Sequence, residues 1–354
     1  MIPFQTLLST GPAILFSIMA VVILFLLYLF FAVIIVYVMN RQVILIRGED
    51  PKNPCYLQFS DYEDVMERTP YQCSYYGKAI NGYIYQEKGR EDFKGFILLA
   101  HGLFGTHVQY LVDIRYLTKL GYQVLAYDQF GCGLSEGENQ ESLATGIYVM
   151  ENVIRDVEKR NVNHDLPLIL YGHSWGAYSS CGALKNHPEI SKAILRSGFV
   201  SPIQVSYELL RSQKKALACF IKPVFSLAMT LYFSPRYVAK STRGFHNQKT
   251  KILVIQSEDD TSVSMSASIA NYLMKHPKNN AEVFLTKTGG HNTIITEEGT
   301  KNYLNAIREY ESIEANSEEE KNRKREEFAS GLRRVEMYPY REDVTTKIQD
   351  FLEN

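Results

Sequence analysis

The most informative stretch of the sequence is a pentapeptide, Gly172-His173-Ser174-Trp175-Gly176. An apolar run precedes it over residues 167–171 and a run of small residues follows over 177–183, which predicts a strand, a sharp turn and a helix. A serine at such a turn needs a strained backbone to stand clear of its neighbours, and flanking glycines remove the Cβ atoms that would clash there. Ser174 is therefore a candidate nucleophile, and Gly172 and Gly176 support its turn.

The pentapeptide alone does not identify an enzyme, because a glycine-rich turn without any chemistry fits the same pattern. A serine hydroxyl is a poor nucleophile until a base removes its proton and a third group orients that base. An enzymatic interpretation therefore requires a histidine and an acid elsewhere in the chain, at positions that the fold can bring to Ser174.

The composition is that of a globular protein without a polyanionic partner. The chain has 354 residues, of which 45% are apolar and 22% charged, and its net charge of -1 argues against nucleic acid as a partner. Five cysteines are scattered without a CxxC pair, so neither a metal site nor a disulfide framework is predicted. Reduced core thiols are expected, and a bridge between Cys55 and Cys73 is left open.

The amino-terminal region predicts a membrane anchor. Residues 13–39 carry no charge, and this run is longer than the ~20 residues that span a bilayer. We expect a tail over residues 1–12, a single transmembrane helix over 13–39 and a stalk or linker over 40–69. A cleaved signal peptide would have a basic first segment and a shorter apolar core, and the sequence shows neither.

Basic residues flank this span on one side. Arg41, Arg47 and Lys52 follow it closely, whereas residues 1–12 contain no lysine or arginine. The positive-inside rule then predicts that the rest of the chain, with any catalytic domain, lies in the cytoplasm.

Alternating and apolar runs after the stalk predict a mostly parallel sheet. Alternation at residues 71–76 and 80–85 indicates an antiparallel hairpin. Short apolar runs then recur between helix-length stretches, at residues 95–100, 122–127, 166–171, 192–196, 251–256 and 283–286. This alternation is typical of a parallel α/β sheet with helices on both faces, where ligands bind beyond the carboxyl ends of the strands. Residues that directly follow each run are therefore candidates for chemistry.

The first of these runs ends in a turn, His101-Gly102-Leu103, that can supply an oxyanion hole. Glycine lets the backbone fold tightly over the nucleophile, so that the Leu103 amide can face a developing oxyanion together with the Trp175 amide. An ordinary strand-to-helix turn is the alternative, since the sequence does not show where the amides point.

Two later strand ends supply an acid and a histidine. Glu258, Asp259 and Asp260 follow one run, and each could be the orienting acid or a solvated loop charge. His291 follows the last run on a loop of two glycines. The order serine, acid, histidine along the chain is the one that α/β-hydrolases use.

At these motifs the chain resembles the α/β-hydrolase superfamily, in particular its serine hydrolase branch of monoacylglycerol lipases and proline iminopeptidase-like aminopeptidases. The resemblance covers residues 71–354 and rests on His101-Gly102, the run DQFGCGLS at residues 128–135, residues 172–176, Asp260 with Val263, and Gly290-His291. It implies Ser174 as nucleophile, His291 as base and Asp260 as orienting acid, because the family places its acid three residues before a valine. Phe130 stands where the family often has an arginine, and we expect it to change loop packing rather than chemistry.

The resemblance also divides the hydrolase domain, which is expected over residues 70–354. A helical lid is implied over residues 201–250. Its apolar positions and eight basic residues against one acid suit an anionic membrane surface; the alternative is an apolar side packed on the core beneath solvated charges. A charged helical insertion is expected over residues 296–341, before a closing helix at 343–352.

The predicted function is hydrolysis of a carboxylic ester, lipid or lipophilic, through an acyl-enzyme intermediate, with no metal and no organic cofactor. The expected partners are a small-molecule or lipid acyl substrate and the membrane, reached through the N-terminal helix, and no obligate protein partner is implied. Gly131 and Gly133 do not extend to a dinucleotide fingerprint, because Glu136 stands at the third glycine position. Two alternatives are an aminopeptidase of the proline iminopeptidase-like type and a non-catalytic membrane-anchored binding module.

Overall fold

A computed structural model of the chain describes residues 4–43 and 46–354. Its helices and strands are, in chain order, α1 (Phe4–Val43), β1 (Met66–Tyr75), β2 (Lys78–Glu87), β3 (Phe96–Ala100), α2 (Leu111–Lys119), β4 (Gln123–Tyr127), α3 (Thr145–Lys159), β5 (Leu168–His173), α4 (Trp175–Ala183), β6 (Lys192–Arg196), α5 (Pro202–Gln213), α6 (Lys215–Phe233), β7 (Lys251–Ser257), α7 (Ile269–Lys275), β8 (Ala281–Thr286), α8 (Glu297–Ser312), α9 (Glu318–Gly331) and α10 (Glu342–Glu353). The described residues divide into two compact units. The helical unit comprises α1 and Ile203–Val238, and the sheet unit comprises the remaining described residues.

The sheet unit is built on one eight-stranded sheet, in the order β1-β2-β4-β3-β5-β6-β7-β8. β1 pairs antiparallel with β2, and β2 with β4, whereas the pairs from β4 to β8 are parallel. A two-residue turn joins β1 to β2, and both its residues, Tyr76 and Gly77, have positive φ values, as hairpin turns of this length favour. The hairpin and the mostly parallel sheet predicted from the sequence are therefore present.

Both faces of the sheet are buried, as expected of apolar parallel strands. All residues of β3 are buried, and they alternate between two hydrophobic cores, Phe96, Leu98 and Ala100 in one and Ile97 and Leu99 in the other. Helices α3, α4 and α7 contribute to the first core, and α2 and α10 to the second. The sheet is therefore the middle layer of three, and the carboxyl ends of its parallel strands share one edge.

The helix α1 is longer than the predicted transmembrane helix. It begins at Phe4, so most of the tail expected over residues 1–12 is helical, while residues 1–3 lie outside the described residues. The limits at residues 13 and 39 mark where hydropathy changes, and the helix continues beyond both of them. Among the described residues, two stretches are long and apolar enough to cross a membrane, Ala13–Gln42 and α6.

The predicted stalk is largely part of the sheet unit. Cys55, Leu57 and Met66 are buried in it, and β1 already begins at the last of these residues. The expectation of a linker over residues 40–69 is therefore wrong from residue 46 onward, because a few well-spaced apolar side chains suffice to pack a mainly polar segment. Residues 44–45 lie outside the described residues.

The segment predicted as a lid forms α5 and α6, and it leaves the sheet unit after β6 and returns before β7. α6 packs on α1 within the helical unit, where Ala218, Ile221 and Ala228 are fully buried.

All five cysteines are free. The bridge between Cys55 and Cys73 that the sequence left open is therefore not formed. Four of the thiols are buried, and Cys219 on α6 is exposed.

The charged insertion forms α8 and α9, whose first turns are acidic and so complement the helix dipole. It is also tied to the segment before β1. The guanidinium of Arg334 donates to both carboxylate oxygens of Asp61 at 2.6–3.0 Å, and the ring centroid of Tyr303 lies 6.3 Å from that of Tyr56. The insertion is therefore more than a solvated surface.

Candidate active site

Ser174 lies at the turn between β5 and α4, with φ 55° and ψ -115°. This backbone conformation is uncommon for a residue with a side chain and is strained. A Cβ on Gly172 would lie 2.4 Å from the Gly176 backbone, and one on Gly176 would lie 1.9 Å from the Ala100 carbonyl oxygen. The Ser174 amide donates to the Arg196 carbonyl at 2.9 Å. The turn is therefore fixed by close contacts between backbones.

Asp260 is the acid that meets His291. The Nδ1 atom of His291 donates to Asp260 Oδ2 at 2.8 Å. The other carboxylate oxygen accepts from the amides of Ser262 and Val263 at 2.8 and 2.9 Å, and the side chain is fully buried. A carboxylate held in this way fixes the orientation and the tautomer of the imidazole, so His291 Nε2 is left as a proton acceptor.

The two neighbouring acids make other contacts. Asp259 accepts from the Gly290 amide at 2.8 Å and from the Ser257 hydroxyl, and this hydroxyl lowers the pKa of the Asp259 carboxyl. The Glu258 side chain is exposed. Within the described residues, Asp260 is thus the one carboxylate of the three that bonds the His291 ring.

The structure does not join Ser174 to His291 directly. A hydrogen bond between Ser174 Oγ and His291 Nε2 is not among the contacts of residues 4–43 and 46–354. Hydrogen bonds between a nucleophile and its base commonly shorten only when substrate binds. The geometry is therefore compatible with Ser174 as nucleophile and His291 as base.

A chain of hydrogen bonds joins the predicted oxyanion turn to the His291 backbone. The Gly102 amide donates to Tyr110 Oη at 2.7 Å, Tyr110 Oη lies 2.8 Å from His173 Nδ1, and His173 Nε2 lies 2.9 Å from the His291 carbonyl oxygen. Because a carbonyl can only accept, His173 Nε2 carries the ring proton and Tyr110 donates to Nδ1. Burial lowers the pKa of His173, and the neighbouring His291 lowers it further, so this ring stays neutral. A second donor, Ser197 Oγ, reaches the His291 carbonyl at 2.9 Å.

The predicted oxyanion turn lies against the nucleophile. A Cβ on Gly102 would be 3.3 Å from the Ser174 Cβ. His101 is buried beneath the turn, where its Nδ1 donates to the Gly102 carbonyl at 2.8 Å and its Nε2 accepts from the Gln129 amide at 2.9 Å. Burial also lowers the pKa of His101, which keeps this ring neutral. Backbone and side-chain contacts together fix the turn.

The amides of Leu103 and Trp175 are still predicted, not demonstrated, oxyanion donors. Trp175 is the first residue of α4, where the backbone amides have no partner within the helix and an anion is favoured. Leu103 directly follows the fixed Gly102. Both positions are therefore compatible with the predicted role.

A buried ion pair supports the strand beside the nucleophile. Arg196, at the end of β6, donates to Asp113 Oδ1 at 2.6 Å, and Tyr171 Oη donates to the same oxygen at 2.6 Å. Both charged side chains are buried, and such charges persist only when they are paired. Since the Arg196 carbonyl also accepts the Ser174 amide, this pair links α2 to the support of the sharp turn.

A cavity of about 240 Å³ opens beside the oxyanion turn. Residues near the site that line it include Leu103, Tyr110, His173 and Asn292. Its far side is lined by Tyr56, Tyr303 and Tyr338, which come from the segment predicted as a stalk and from the charged insertion. Asp113 is the one carboxylate among the described lining residues, and it is already paired with Arg196.

The loop that departs from the resembled family is packed. Phe130 is buried, with its ring centroid 5.9 Å from that of Tyr75. Asp128 in the same loop accepts from the backbone amide and the ring of His107. His107 is therefore buried and held by this loop.

A separate cluster of possible metal ligands lies at the amino ends of the strands, just before β6. Glu158, His187 and Glu189 place their ligand atoms within 4.8 Å of one another, and His187 Nδ1 is bonded to Glu189 at 2.6 Å. The candidate site lies at the opposite, carboxyl ends. That the chemistry needs no metal or cofactor stays a prediction.

Residues 91–229 match the family described as Serine aminopeptidase, S33. A proline iminopeptidase of Thermoplasma volcanium is 30% identical over 132 residues, which are 37% of this chain and 44% of that protein. A proline iminopeptidase of Saccharolobus solfataricus is 28% identical over 174 residues, 44% of this chain and 54% of that protein. The chain thus spans about half the length of the curated relatives it matches.

The solved structure of a Pyrococcus furiosus esterase superposes with a TM-score of 0.52 at 18% identity, covering 80% of this chain and 98% of that one. The chain therefore has the α/β-hydrolase fold, as predicted from its sequence. Within that class, the predicted resemblance to proline iminopeptidases is confirmed by the family match and by the two curated relatives.

Sequence reasoning missed Tyr110, Ser197 and the Asp113–Arg196 pair. His173 was visible only as a free position of the pentapeptide. No local pattern marks these residues, because their contacts join segments that are distant in the chain; the position of His173 directly before the candidate nucleophile is the one available signal.

Proposed function

We propose that this chain is a membrane-anchored serine hydrolase that cleaves a carboxylic ester, of a lipid or another lipophilic compound, through an acyl-enzyme intermediate. The observation that carries the proposal is the His291–Asp260 hydrogen bond of 2.8 Å at the same sheet edge as a serine with strained backbone angles. The fold and the similarity to serine aminopeptidases and an esterase support it.

In the proposed mechanism, Ser174 attacks the ester carbonyl while His291 Nε2 takes the hydroxyl proton. Asp260 holds the ring and stabilises its charged form, and the Leu103 and Trp175 amides bind the oxyanion. His291 then gives its proton to the departing alcohol, which leaves an acyl group on Ser174. Water, deprotonated by His291, attacks that acyl group and releases the acid, and the proton returns to the serine.

A fluorophosphonate probe tests this proposal directly. We expect the probe to label wild-type protein and to leave Ser174→Ala unlabelled. Ser179→Ala is a matched control, because that hydroxyl is also buried in α4 and donates to the Trp175 carbonyl at 2.8 Å. If Ser174→Ala were labelled as strongly as the wild type, Ser174 would not be the nucleophile. If neither the wild type nor Ser174→Ala were labelled, a non-catalytic binding module would be favoured.

The resemblance to proline iminopeptidases keeps an aminopeptidase as the second candidate. An aminopeptidase must hold the α-ammonium of its substrate, for which a free carboxylate is suited. The cavity beside Leu103 offers Asp113 alone among its described lining residues, and Arg196 neutralises it. Rates on acyl esters of increasing chain length beside aminoacyl amides test the choice, and faster turnover of the amides would reverse it.

The anchor and its side are part of the proposal. α1 is a 40-residue helix, and its side chains from Ala13 to Leu27 are exposed and, apart from Ser17, apolar. Exposure of such a stretch to water is unfavourable, whereas a bilayer would bury it. The basic residues that follow it favour a cytoplasmic sheet unit. Protease treatment of intact cells that carry a C-terminal tag tests the side, and digestion from outside would overturn it.

A further inference from the structure

The lid segment and the anchor belong to one packed unit, and this gives the lid a defined level along the anchor. The ring of Tyr28 contacts that of Phe220 with centroids 5.2 Å apart, and the ring of Tyr37 contacts that of Tyr232 at 5.9 Å. Residue numbers rise together in the two contacts. The helices α1 and α6 therefore run parallel, with α6 beside the carboxyl-terminal half of α1.

The two halves of α1 differ in exposure. From residue 13 to 27 every side chain is exposed, whereas Ala32, Val36 and Met39 are buried against α6. The exposed stretch is about 22 Å long at 1.5 Å per residue, and a bilayer core is about 30 Å thick. Because Phe220 lies beside Tyr28, the start of α6 five residues earlier lies beside about residue 23 of α1, within the exposed stretch. Charged side chains at this level would be costly inside hydrocarbon. The hydrocarbon core therefore ends near the start of α6 and extends from there toward the amino-terminal end of α1.

The end of this unit that points along α1 toward the exposed stretch is the α5–α6 turn. It carries three exposed basic residues, Arg211, Lys214 and Lys215. Two exposed apolar side chains follow within two helical turns, Leu217 and Phe220, with exposures of 37% and 61%. Because α6 runs parallel to α1, the basic residues are the part of this end nearest the bilayer, and the two apolar side chains lie slightly farther from its centre, where interfacial side chains of both kinds are favoured.

The charge of the segment points to one kind of lipid. Between Ile203 and Val238 the chain has five basic residues and a single acid, Glu208. Lysine and arginine side chains close to an anionic leaflet are attracted by its negative surface potential. A zwitterionic surface offers no such attraction.

We propose that the α5–α6 turn is a docking tip for anionic lipid headgroups, with Arg211, Lys214 and Lys215 at the phosphates and Leu217 and Phe220 in the interfacial layer next to them. The docking tip rests on the membrane anchor of the proposed function. It adds a lipid preference and a membrane contact that the anchor alone does not supply.

The chain provides its own reporter for a test, because Cys219 is the one exposed cysteine and lies between the two apolar residues. The full chain, labelled there with an environment-sensitive fluorophore, is placed in phosphatidylcholine vesicles with or without phosphatidylserine. We expect a blue-shifted emission and protection from iodide that increase with phosphatidylserine and weaken at high salt. The same label at Met274→Cys in a Cys219→Ser background, on α7 of the sheet unit, should not respond.

Neutralising the tip should remove this response. In the combined Arg211→Gln, Lys214→Gln, Lys215→Gln variant, the phosphatidylserine-dependent shift should disappear. Replacing three exposed lysines of the sheet unit by glutamine, Lys119, Lys159 and Lys185, should leave it intact.

The outcomes separate the two proposals. If the chain floats with vesicles but the Cys219 label responds equally to both lipids, or if both triple variants lose the response, the docking tip is wrong and the anchor stands. If the chain does not float with vesicles, the anchor and the tip both fall.

Discussion

The serine turn and the histidine loop hold the two ends of the proposed proton transfer in different ways. The turn at Ser174 is fixed by backbone contacts, since a Cβ on Gly176 would lie 1.9 Å from a neighbouring carbonyl oxygen. The loop at His291 has room at Gly290, which has φ +58° and where an added Cβ would meet nothing within 4 Å. Side-chain hydrogen bonds from Asp260, His173 and Ser197 hold that loop instead.

The difference shows where each part of the site is specified. Close backbone contacts at the turn exclude any Cβ atom, so they require glycine at fixed positions. This requirement leaves a glycine pattern that is visible in the sequence. Hydrogen bonds from three separate elements leave no such pattern. We therefore expect substitutions in the turn to act on folding and substitutions around the loop to act on catalysis.

Gly176→Ala should have the largest effect. The added methyl group overlaps backbone that cannot move without separating α4 from β3, so we expect the free energy of unfolding to fall by about 3 kcal/mol. Urea unfolding in detergent measures this change.

Two glycines provide the contrast. Gly331→Ala meets nothing within 4 Å and should not destabilise the protein, and Gly290→Ala should cost only about 1 kcal/mol for its positive φ. Equal losses at Gly176 and Gly290 would contradict the distinction between the two regions.

Asp260→Asn should have the next largest effect, on catalysis and not on folding. The amide cannot stabilise the charged imidazole and favours the wrong tautomer, so kcat should fall by about 10⁴-fold, as in serine protease triads. Ester hydrolysis under substrate saturation measures it. Asp259→Asn affects only the contacts to Gly290 and Ser257 and should cost about fivefold; the reverse ranking would make Asp259 the orienting acid.

Tyr110→Phe should reduce kcat by about 10- to 100-fold with little change in KM. The variant leaves the Gly102 amide and His173 Nδ1 without partners, at about 1–3 kcal/mol each, and loosens both the oxyanion turn and the histidine loop. Steady-state kinetics measure the split. Tyr122→Phe removes a tyrosine hydroxyl whose partner is the Leu352 carbonyl and should leave kcat unchanged; an equal loss in both variants would indicate a general structural effect.

Ser197→Ala should have the smallest effect, about fivefold in kcat, because His173 still donates to the His291 carbonyl. The matched control is Ser191→Ala at the other end of β6, where the hydroxyl donates to the Leu168 carbonyl at 2.8 Å. A larger loss at Ser197 than at Tyr110 would mean that the serine, not the hydrogen-bond chain, sets the position of the loop.

Much of the fold could be predicted because its signals are local. The apolar runs of β3 to β8 and the alternating patterns of β1 and β2 are each contained in a few residues. The strand, turn and helix around Ser174 are likewise encoded by consecutive residues. The choice of Asp260 among three adjacent acids needed the spacing to Val263 that a family resemblance supplied; the structure brings that carboxylate to His291.

The rest depends on contacts that no local pattern encodes. Tyr110 and Ser197 reach the site from other elements, and the ion pair of Asp113 and Arg196 forms only when α2 packs on the sheet. The stalk was misjudged for the same reason: Cys55 and Leu57 belong to an apolar run too short to predict an element, and their burial depends on partners elsewhere in the chain.

The packing of α1 on α6 has a consequence for anyone who wishes to prepare the protein without its anchor. Removing α1 alone exposes an apolar face of α6. This face includes Ile221, Phe225 and Met229, which are buried in the intact chain. Such a face promotes aggregation, so the shortened protein should precipitate where the detergent-solubilised chain does not. A soluble form calls for deletion of Ile203–Val238 together with the anchor, or for polar substitutions along that face.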